Sequence, residues 1–258
     1  MVLKDKVVLI TGASGGIGAA CAASFRKRGA RLALTARREH KLKEVAADGE
    51  LVIPGDLTGH QARKNIIDST IARYGGLDVL INNAGIGLYV STCDASLDQA
   101  KALFDLNFFV PLAMTQLAAA AMRPRRSGTI VNVGSIAGKI VLPWLTLYSA
   151  SKHALGAMTD GLRMELLRDG IHMMTVCPGY VNTDFQSHVI AGKPPAVMQR
   201  SRPLGVTMEQ CAEAIAGGVE RNARTVVTPA SGWLAIAAAR LFPGLTERRL
   251  ERMHSQTT

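Results

Sequence analysis

The sequence predicts an α/β fold in which helices cover both faces of a doubly wound parallel sheet of about seven strands. Short β-branched runs alternate along the 258 residues with longer, alanine-rich helical segments. The strand runs are continuously apolar, as expected of strands that are buried on both faces. Alternation of strands with helices is typical of parallel sheets joined by right-handed crossovers. No linker or repeat interrupts residues 1–230, which we predict to form a single domain.

The predicted strands are Val7–Thr11, Arg31–Thr35, Leu51–Pro54, Leu77–Asn82, Gly128–Val133, Ile171–Cys177 and Thr225–Val227. Helices are predicted near residues 16–28, 38–47, 59–74, 96–122, 147–169 and 208–221. Two segments depart from the alternation. Residues 183–205 form a connection with three prolines that is too long for a simple turn, and such connections are usually either lids over a site or disordered. Residues 231–258 are predicted to be an apolar and basic helical extension.

The composition excludes intrinsic disorder and a disulfide scaffold. Hydrophobic residues make up 48% of the chain, charged residues make up 19%, and the four cysteines lie far apart without a C-x-x-C pair. Reduced thiols and a cytoplasmic location are therefore expected. The six histidines lack ligand spacing, so we expect no metal. We also expect no secretory signal and no ordinary membrane span, because no uninterrupted apolar run reaches about 18 residues.

The charge balance indicates an anionic partner. Thirty Lys and Arg residues against twenty Asp and Glu residues leave a net charge of +10. These charges are spread over short clusters, and aromatic residues make up only 5%, so we expect no nucleic-acid partner. A negatively charged small ligand or an anionic membrane surface explains the balance more simply.

A glycine-rich segment joins the first strand to the first helix. Gly12, Gly16 and Gly18 allow a tight turn in which backbone N–H groups can approach a pyrophosphate, with Ser14 and Ile17 beside them. The helix that follows presents its positive end to the same anion. An ordinary strand-to-helix turn also uses glycines, but the position inside the first βαβ unit predicts a Rossmann-type dinucleotide site.

The end of the second strand predicts which dinucleotide is bound. An acidic residue at this place would bind the ribose 2′-hydroxyl, whereas an arginine accommodates a 2′-phosphate. The strand ends in Ala36-Arg37-Arg38, with no Asp or Glu from Leu32 onward. Guanidinium groups match phosphate geometry, so NADP(H) is the predicted cofactor. The alternative is that both arginines simply begin a solvated helix.

Three residues have the chemistry of carbonyl reduction. Tyr148 and Lys152 are four apart on a predicted helix and so share one face. An adjacent ammonium favours the phenolate and is expected to lower the pKa of Tyr148 toward the useful range. Ser135 follows the strand Gly128–Val133, at the sheet edge where ligands bind, and its hydroxyl can stabilise developing oxyanion charge.

Together these motifs resemble the short-chain dehydrogenase/reductase family in its NADP-preferring form, over about residues 3–230. The resemblance rests on Thr11-Gly12-x-x-x-Gly16-x-Gly18, Asn82-Asn83-Ala84-Gly85, Asn107, Ser135, Tyr148-Ser149-Ala150-Ser151-Lys152 and Pro178-Gly179. It implies that Tyr148 exchanges a proton with the substrate while the nicotinamide supplies hydride. It also implies that Lys152 holds the nicotinamide ribose and that Asn107 anchors a water; the alternative for Asn107 is a buried amide bonded to backbone.

The resemblance also implies further cofactor residues. Asp56 and Leu57 are expected beside the adenine; Asn83, Ala84 and Gly85 along the cofactor; and Pro178, Gly179 and Thr183 under the nicotinamide carboxamide. The alternative for Asn83 and Gly85 is that they end a strand and stabilise the sheet. One departure bears on the NADP preference. Many NADP-dependent relatives carry a basic residue in the glycine loop, where this chain has Ser14 and Gly15.

The loop after the sixth strand is expected to close over the substrate in this family, which places it at Asp184–Gly205. The apolar character of this loop favours a hydrophobic ketone over a sugar. Its apolar residues are Phe185, Val189, Ile190, Val197 and Met198, and Trp144 and Leu145 are expected on the opposite wall of the site. The alternative is that these residues pack the loop onto the body. A 3-oxoacyl thioester reductase and a non-catalytic NADP(H)-binding regulator are the rival functions.

The tail resembles those of relatives that act on steroids and lipids and carry an apolar C-terminal platform near membranes. It contains about ten apolar residues with basic flanks, too few to span a bilayer but enough to lie at its surface. Residues 231–252 could equally pack in a homodimer or homotetramer, and subunit packing is slightly favoured over membrane contact.

Overall fold

A computed structural model describes residues 1–181, 185, 189–193 and 205–255 of the chain. The predicted positions Thr183, Val197 and Met198 lie outside the described residues, as does the side chain of Trp144. The strands are β1 (Val7–Thr11), β2 (Arg31–Ala36), β3 (Leu51–Pro54), β4 (Val79–Asn82), β5 (Gly87–Tyr89), β6 (Gly128–Val133), β7 (Ile171–Pro178), β8 (Val189–Gly192) and β9 (Thr225–Thr228).

Seven parallel strands form the main sheet in the order β3-β2-β1-β4-β6-β7-β9, and β5 and β8 form a separate parallel pair. The strand order reverses between β1 and β4, which is the place where open α/β sheets bind ligands beyond the carboxyl ends of their strands. The predicted fold class is confirmed, and the seven predicted strands are those of the main sheet.

The described helices are α1 (Gly16–Lys27), α2 (Glu39–Val45), α3 (His60–Tyr74), α4 (Leu97–Phe104), α5 (Val110–Met122), α6 (Thr146–Glu165), α7 (Met208–Glu220), α8 (Gly232–Leu241) and α9 (Pro243–Ser255). Both faces of the sheet are covered. Phe25 of α1 and Ile215 of α7 pack with β1 and β2 on one face. Ile66 of α3 and Met114 of α5 pack on the other. The central strands β1, β4 and β6 are therefore buried on both sides, which accounts for their continuously apolar runs, whereas the edge strand β3 is only partly buried.

The helix predicted at 96–122 is interrupted in the middle. Ser96 caps α4 through a reciprocal capping box with Gln99, and a π-helical turn at Asp105–Phe109 then leads into α5. The helical segment Leu97–Arg125 is long and apolar enough to cross a membrane by length and composition. However, α5 contributes Met114, together with other apolar side chains, to the core beside the sheet. A core helix passes the same composition test, so this segment needs no membrane.

The long connection before α7 contains a strand that the sequence did not predict. Strand β8 pairs with β5, which was also not predicted, and the register of the pair is irregular. Gly192 ends β8 with φ +80°, and a Cβ added there would lie 1.8 Å from the carbonyl oxygen of Tyr89. The pairing therefore requires glycine at this position.

Candidate active site

The glycine loop is a close-packed cradle at the carboxyl end of β1. Gly12 and Gly16 have φ values of +65° and +55°, which glycine adopts without strain. A Cβ added to Gly18 would lie 2.3 Å from the carbonyl oxygen of Gly12. Within the described residues, no side chain caps α1 and no acidic residue lies in its first turn. The first N–H groups of α1 are therefore left for an anion, as a dinucleotide pyrophosphate requires.

The segment after β4 is fastened to this loop. The Thr11 hydroxyl accepts hydrogen bonds from the N–H groups of Asn83 (3.0 Å) and Ala84 (3.1 Å). The Asn83 amide donates to the carbonyl oxygens of Thr11 (3.0 Å) and Gly12 (3.3 Å). Asn83 and Ala84 thereby lie against the glycine loop at the crevice between β1 and β4.

The two arginines after β2 lie at the edge of the glycine loop. Arg37 is exposed, and Arg38 is half-buried and donates from Nη2 to the Ser14 hydroxyl at 3.3 Å. A Cβ added to Gly15 would lie 3.8 Å from the Arg38 guanidinium. Positive charge thus lies beside the loop, at the adenosine end of the crevice.

Asp56 and Leu57 differ in what they offer a cofactor. The exposed Asp56 carboxylate accepts bonds from the Thr58 N–H (3.0 Å) and hydroxyl (2.9 Å). The bond from the Thr58 N–H is the main reason why the pKa of Asp56 is lowered, and the charge of Arg37 adds a smaller effect. The Leu57 side chain is buried in the core, so only its backbone is available to a ligand.

Tyr148, Ser135 and Lys152 meet at the opposite end of the crevice. The Lys152 side chain is 5% exposed, donates from Nζ to the Val133 carbonyl at 3.0 Å, and lies 5.8 Å from the centre of the Tyr148 ring. Ser135 accepts a bond from the Ala137 N–H at 3.1 Å, which leaves its own O–H to donate. The structure therefore brings together a phenol, a hydroxyl and an amine.

Burial dominates the electrostatics of these groups. It lowers the pKa of Lys152 to about 8, because an ammonium is poorly solvated there. It also raises the pKa of Tyr148, against a smaller lowering by a side-chain hydrogen bond with Ser135. The expectation that the pKa of Tyr148 is lowered is wrong for the chain alone, because the cost of burying a phenolate outweighs the effects that favour it. Tyr148 is consequently protonated at neutral pH.

Asn107 lies in the π-helical turn and is fully buried. Its amide oxygen accepts from the Ile86 N–H at 2.9 Å, and its NH₂ group donates to the Ile86 carbonyl (3.0 Å) and the Ser151 hydroxyl (3.2 Å). The side chain therefore joins the segment after Gly85 to α6, which matches the buried-amide alternative. A Cβ added to Gly85 would lie 3.1 Å from the Asn107 amide oxygen and 3.5 Å from Lys152 Nζ.

Pro178 and Gly179 lie at the carboxyl end of β7. The Gly179 N–H donates to the Thr228 carbonyl at 2.8 Å, and a Cβ added to Gly179 would lie 3.3 Å from the ring of Pro229. Both residues thus lie at the ligand-binding edge of the sheet.

Apolar residues enclose the phenol of Tyr148. The Tyr148 cluster, as we call it, contains the buried Leu88 and Leu145 with Tyr89, Phe185, Ile190 and Leu250 packed against them. The ring centres of Phe185 and Tyr148 are 6.0 Å apart. Sequence reasoning found Leu145, Phe185 and Ile190 but missed Leu88 and Tyr89, because a three-residue strand has no readable periodicity.

The comparison with known families decides the assignment. A family model described as short chain dehydrogenase matches residues 6–193. The chain belongs to this family. As a short-chain dehydrogenase/reductase it is an oxidoreductase that uses a nicotinamide dinucleotide, and the glycine cradle and open N-terminus of α1 fit such a cofactor.

Relatives match this short-chain dehydrogenase over 70% to 99% of its length. Dehydrogenase/reductase SDR family member 7B of Danio rerio is 34% identical, over 99% of this chain and 88% of its own length. The SDR family protein 7-like dehydrogenase/reductase of Anopheles gambiae is 31% identical, over 98% and 86%. An uncharacterised oxidoreductase of Staphylococcus aureus is 36% identical, over 70% and 80%.

Solved structures of short-chain dehydrogenases share the fold. One from Burkholderia phymatum, in complex with NAD, superimposes with a TM-score of 0.85 at 22% identity, over 95% of this chain and 96% of its own. One from Burkholderia cenocepacia, in complex with NADP, gives 0.81 at 25% identity, over 97% and 99%.

Proposed function

We propose that this chain is an NADPH-dependent carbonyl reductase that interconverts an apolar ketone and its secondary alcohol. The observation that carries the proposal is the meeting of the Tyr148 phenol, the Ser135 hydroxyl and Lys152 in an apolar enclosure at the end of the dinucleotide crevice. This combination supplies a proton donor, an oxyanion donor and a cation where a carbonyl would lie.

The cofactor would supply the hydride when bound, and residues of the chain stabilise the carbonyl oxygen and donate the proton. The Ser135 O–H donates to the carbonyl oxygen and stabilises its developing negative charge. Tyr148, protonated because of its burial, donates its phenolic proton to that oxygen as the alcohol forms. Lys152, with a pKa of about 8, is mostly an ammonium at neutral pH and stabilises the phenolate that remains. Alcohol oxidation reverses these steps.

The NADP(H) preference is proposed from the charge around the glycine loop. Arg38 bonds to Ser14 at the loop, and Arg37 is near enough to lower the pKa of Asp56. Because the loop itself has Ser14 and Gly15 where many NADP-dependent relatives have a basic residue, these two arginines are left as the proposed 2′-phosphate donors.

Replacing Arg37 and Arg38 together with Ala is expected to raise the KM for NADPH roughly tenfold or more, because charge-assisted bonds to phosphate are lost. The KM for NADH, which lacks that phosphate, should change much less. Steady-state kinetics with both cofactors measure this. Arg31→Ala, at the opposite end of β2, removes a positive charge away from the site and is the matched control. Equal changes for both cofactors would refute the NADP assignment.

The proposed substrate is a hydrophobic, steroid- or lipid-like ketone. The apolar character of the Tyr148 cluster supports it. The alternative of a 3-oxoacyl-thioester reductase needs room for a thioester arm. NADPH consumption with steroid ketones, long-chain ketones and 3-oxoacyl thioesters compares them: preference for the thioesters favours the alternative, and no consumption favours a non-catalytic regulator.

We further propose a cytoplasmic homodimer or homotetramer in which the tail packs against a second copy. The tail helices α8 and α9 have an exposed apolar surface that includes Leu234, Leu241, Phe242 and Leu245. Contact with an anionic membrane is the second candidate, supported by the exposed Arg240 and the other arginines of the tail. The cysteines are all free thiols, as in a reducing compartment.

Replacing Leu234 and Leu241 with Glu is expected to lower the mass of the protein in solution to that of a monomer, because both side chains are more than 70% exposed on the tail surface. Light scattering measures the mass, and sedimentation with anionic liposomes measures membrane binding. Leu167→Glu, an equally exposed leucine away from the tail, is the control. Loss of liposome binding with unchanged mass would overturn subunit packing in favour of the membrane.

A further inference from the structure

The tail folds back onto the catalytic part of the chain at two points. Ile236 of α8 is buried and packs with Ile136 and Cys177, next to the turn that begins at Ser135. Helix α9 contacts α8 and the helical turn Pro143–Leu145, which leads directly into α6 and Tyr148. The tail is therefore placed by the same elements that place the catalytic groups.

Leu250 is the point at which α9 meets the site. It is half-buried and packs against the Tyr148 cluster, to which Leu145 and Phe185 also belong. Its neighbours along α9 are charged and exposed: Glu247, Arg248, Arg249 and Glu251. Leu245, one and a half turns earlier, is 70% exposed. Among the described side chains of α9, Leu250 is the one that packs against the Tyr148 cluster.

We propose that Leu250 forms the far wall of the substrate chamber and sets how long an apolar body the enzyme accepts beyond the carbonyl. This inference rests on the proposed function, since it concerns the substrate of the same site. A carbonyl held by Tyr148 and Ser135 directs the rest of the ketone into the apolar cluster around the phenol. Its chain would end against Leu250, so the volume of that side chain limits the length.

The inference predicts opposite effects from opposite changes in volume. Leu250→Ala should move the preferred ketone to a longer chain in a series of linear methyl ketones, and Leu250→Phe should move it to a shorter one. Each methylene gained or lost in an apolar pocket changes kcat/KM by about tenfold or more. A change that merely loosened the helix would not shift the optimum in both directions.

The experiment measures kcat/KM with NADPH and, by calorimetry on the NADP⁺-loaded enzyme, which cannot reduce the ketone, the Kd across the ketone series. Leu245→Ala, the same substitution on the exposed side of α9, is the control and should leave the optimum in place. Opposite shifts of the preferred ketone length in the two Leu250 variants support the proposal. If the length of the most tightly bound ketone is unchanged in both variants, the proposal is wrong. The Kd is measurable even if the enzyme reduces none of the ketones. Ketone binding without NADPH consumption would contradict the proposed reductase, and the Kd values would still test the role of Leu250.

Discussion

Replacing Tyr148 with Phe is expected to lower kcat for ketone reduction by at least about 10²-fold, because general acid catalysis contributes 10²- to 10⁴-fold. The phenol lies among mostly apolar residues. The ring itself remains, so its packing against Phe185 is kept. The measurement is steady-state NADPH consumption with the best ketone of the panel.

Tyr89→Phe is the matched control for that variant. Tyr89 is a second phenol of the Tyr148 cluster, and burial raises its pKa to about 12. We expect its replacement to change kcat by less than about tenfold, as for a side chain that exchanges no proton with substrate. Cofactor affinity should be unchanged in both. A Tyr148→Phe enzyme that keeps most of its kcat would disprove the acid–base assignment.

Replacing Gly18 with Ala is expected to raise the Kd for the cofactor by about tenfold or more, equivalent to at least about 1.4 kcal/mol. The added methyl group would lie 2.3 Å from the backbone oxygen of Gly12 and 2.7 Å from the Asn83 amide nitrogen. Backbone cannot move away as a flexible side chain can, so the loop must shift and the N–H groups of α1 lose their alignment. Fluorescence titration with NADPH measures the loss.

Gly15→Ala provides the contrast within the same loop. Gly15 has a φ of 169°, an extended conformation that alanine also adopts, and its nearest neighbour to an added Cβ is Arg38 at 3.8 Å. Cofactor affinity and thermal stability should therefore stay close to those of the parent. If Gly18→Ala bound the cofactor as tightly as Gly15→Ala, the cradle would not hold the pyrophosphate.

Local patterns in the sequence were enough to predict the sheet and much of the crevice. Apolar runs such as Val7–Thr11 indicate burial on both faces of the sheet. The spacing of Gly12, Gly16 and Gly18 indicates a turn formed by residues close in the chain. Tyr148 and Lys152 share a face because one helix carries both. These features need no knowledge of distant contacts.

What the sequence could not predict depends on residues far apart in the chain. Strand β5 is short and exists through pairing with β8, about a hundred residues later. The direction of the Tyr148 pKa follows from burial by the elements around it, not from Lys152 one turn away. The Asn107 amide bonds to the backbone of Ile86 and to the Ser151 hydroxyl, which belong to two other segments of the chain. Non-local packing of this kind leaves no periodic signal.

The most direct test of the central claim follows the transferred hydrogen. NADPH carrying deuterium at nicotinamide C4 is incubated with the enzyme and an apolar ketone, and the alcohol is examined by mass spectrometry. We expect one deuterium on the carbinol carbon, formed by the parent enzyme and reduced at least about 10²-fold in Tyr148→Phe. Cofactor that binds in the crevice but leaves the ketone unlabelled and unreduced, across the whole panel, would contradict the account.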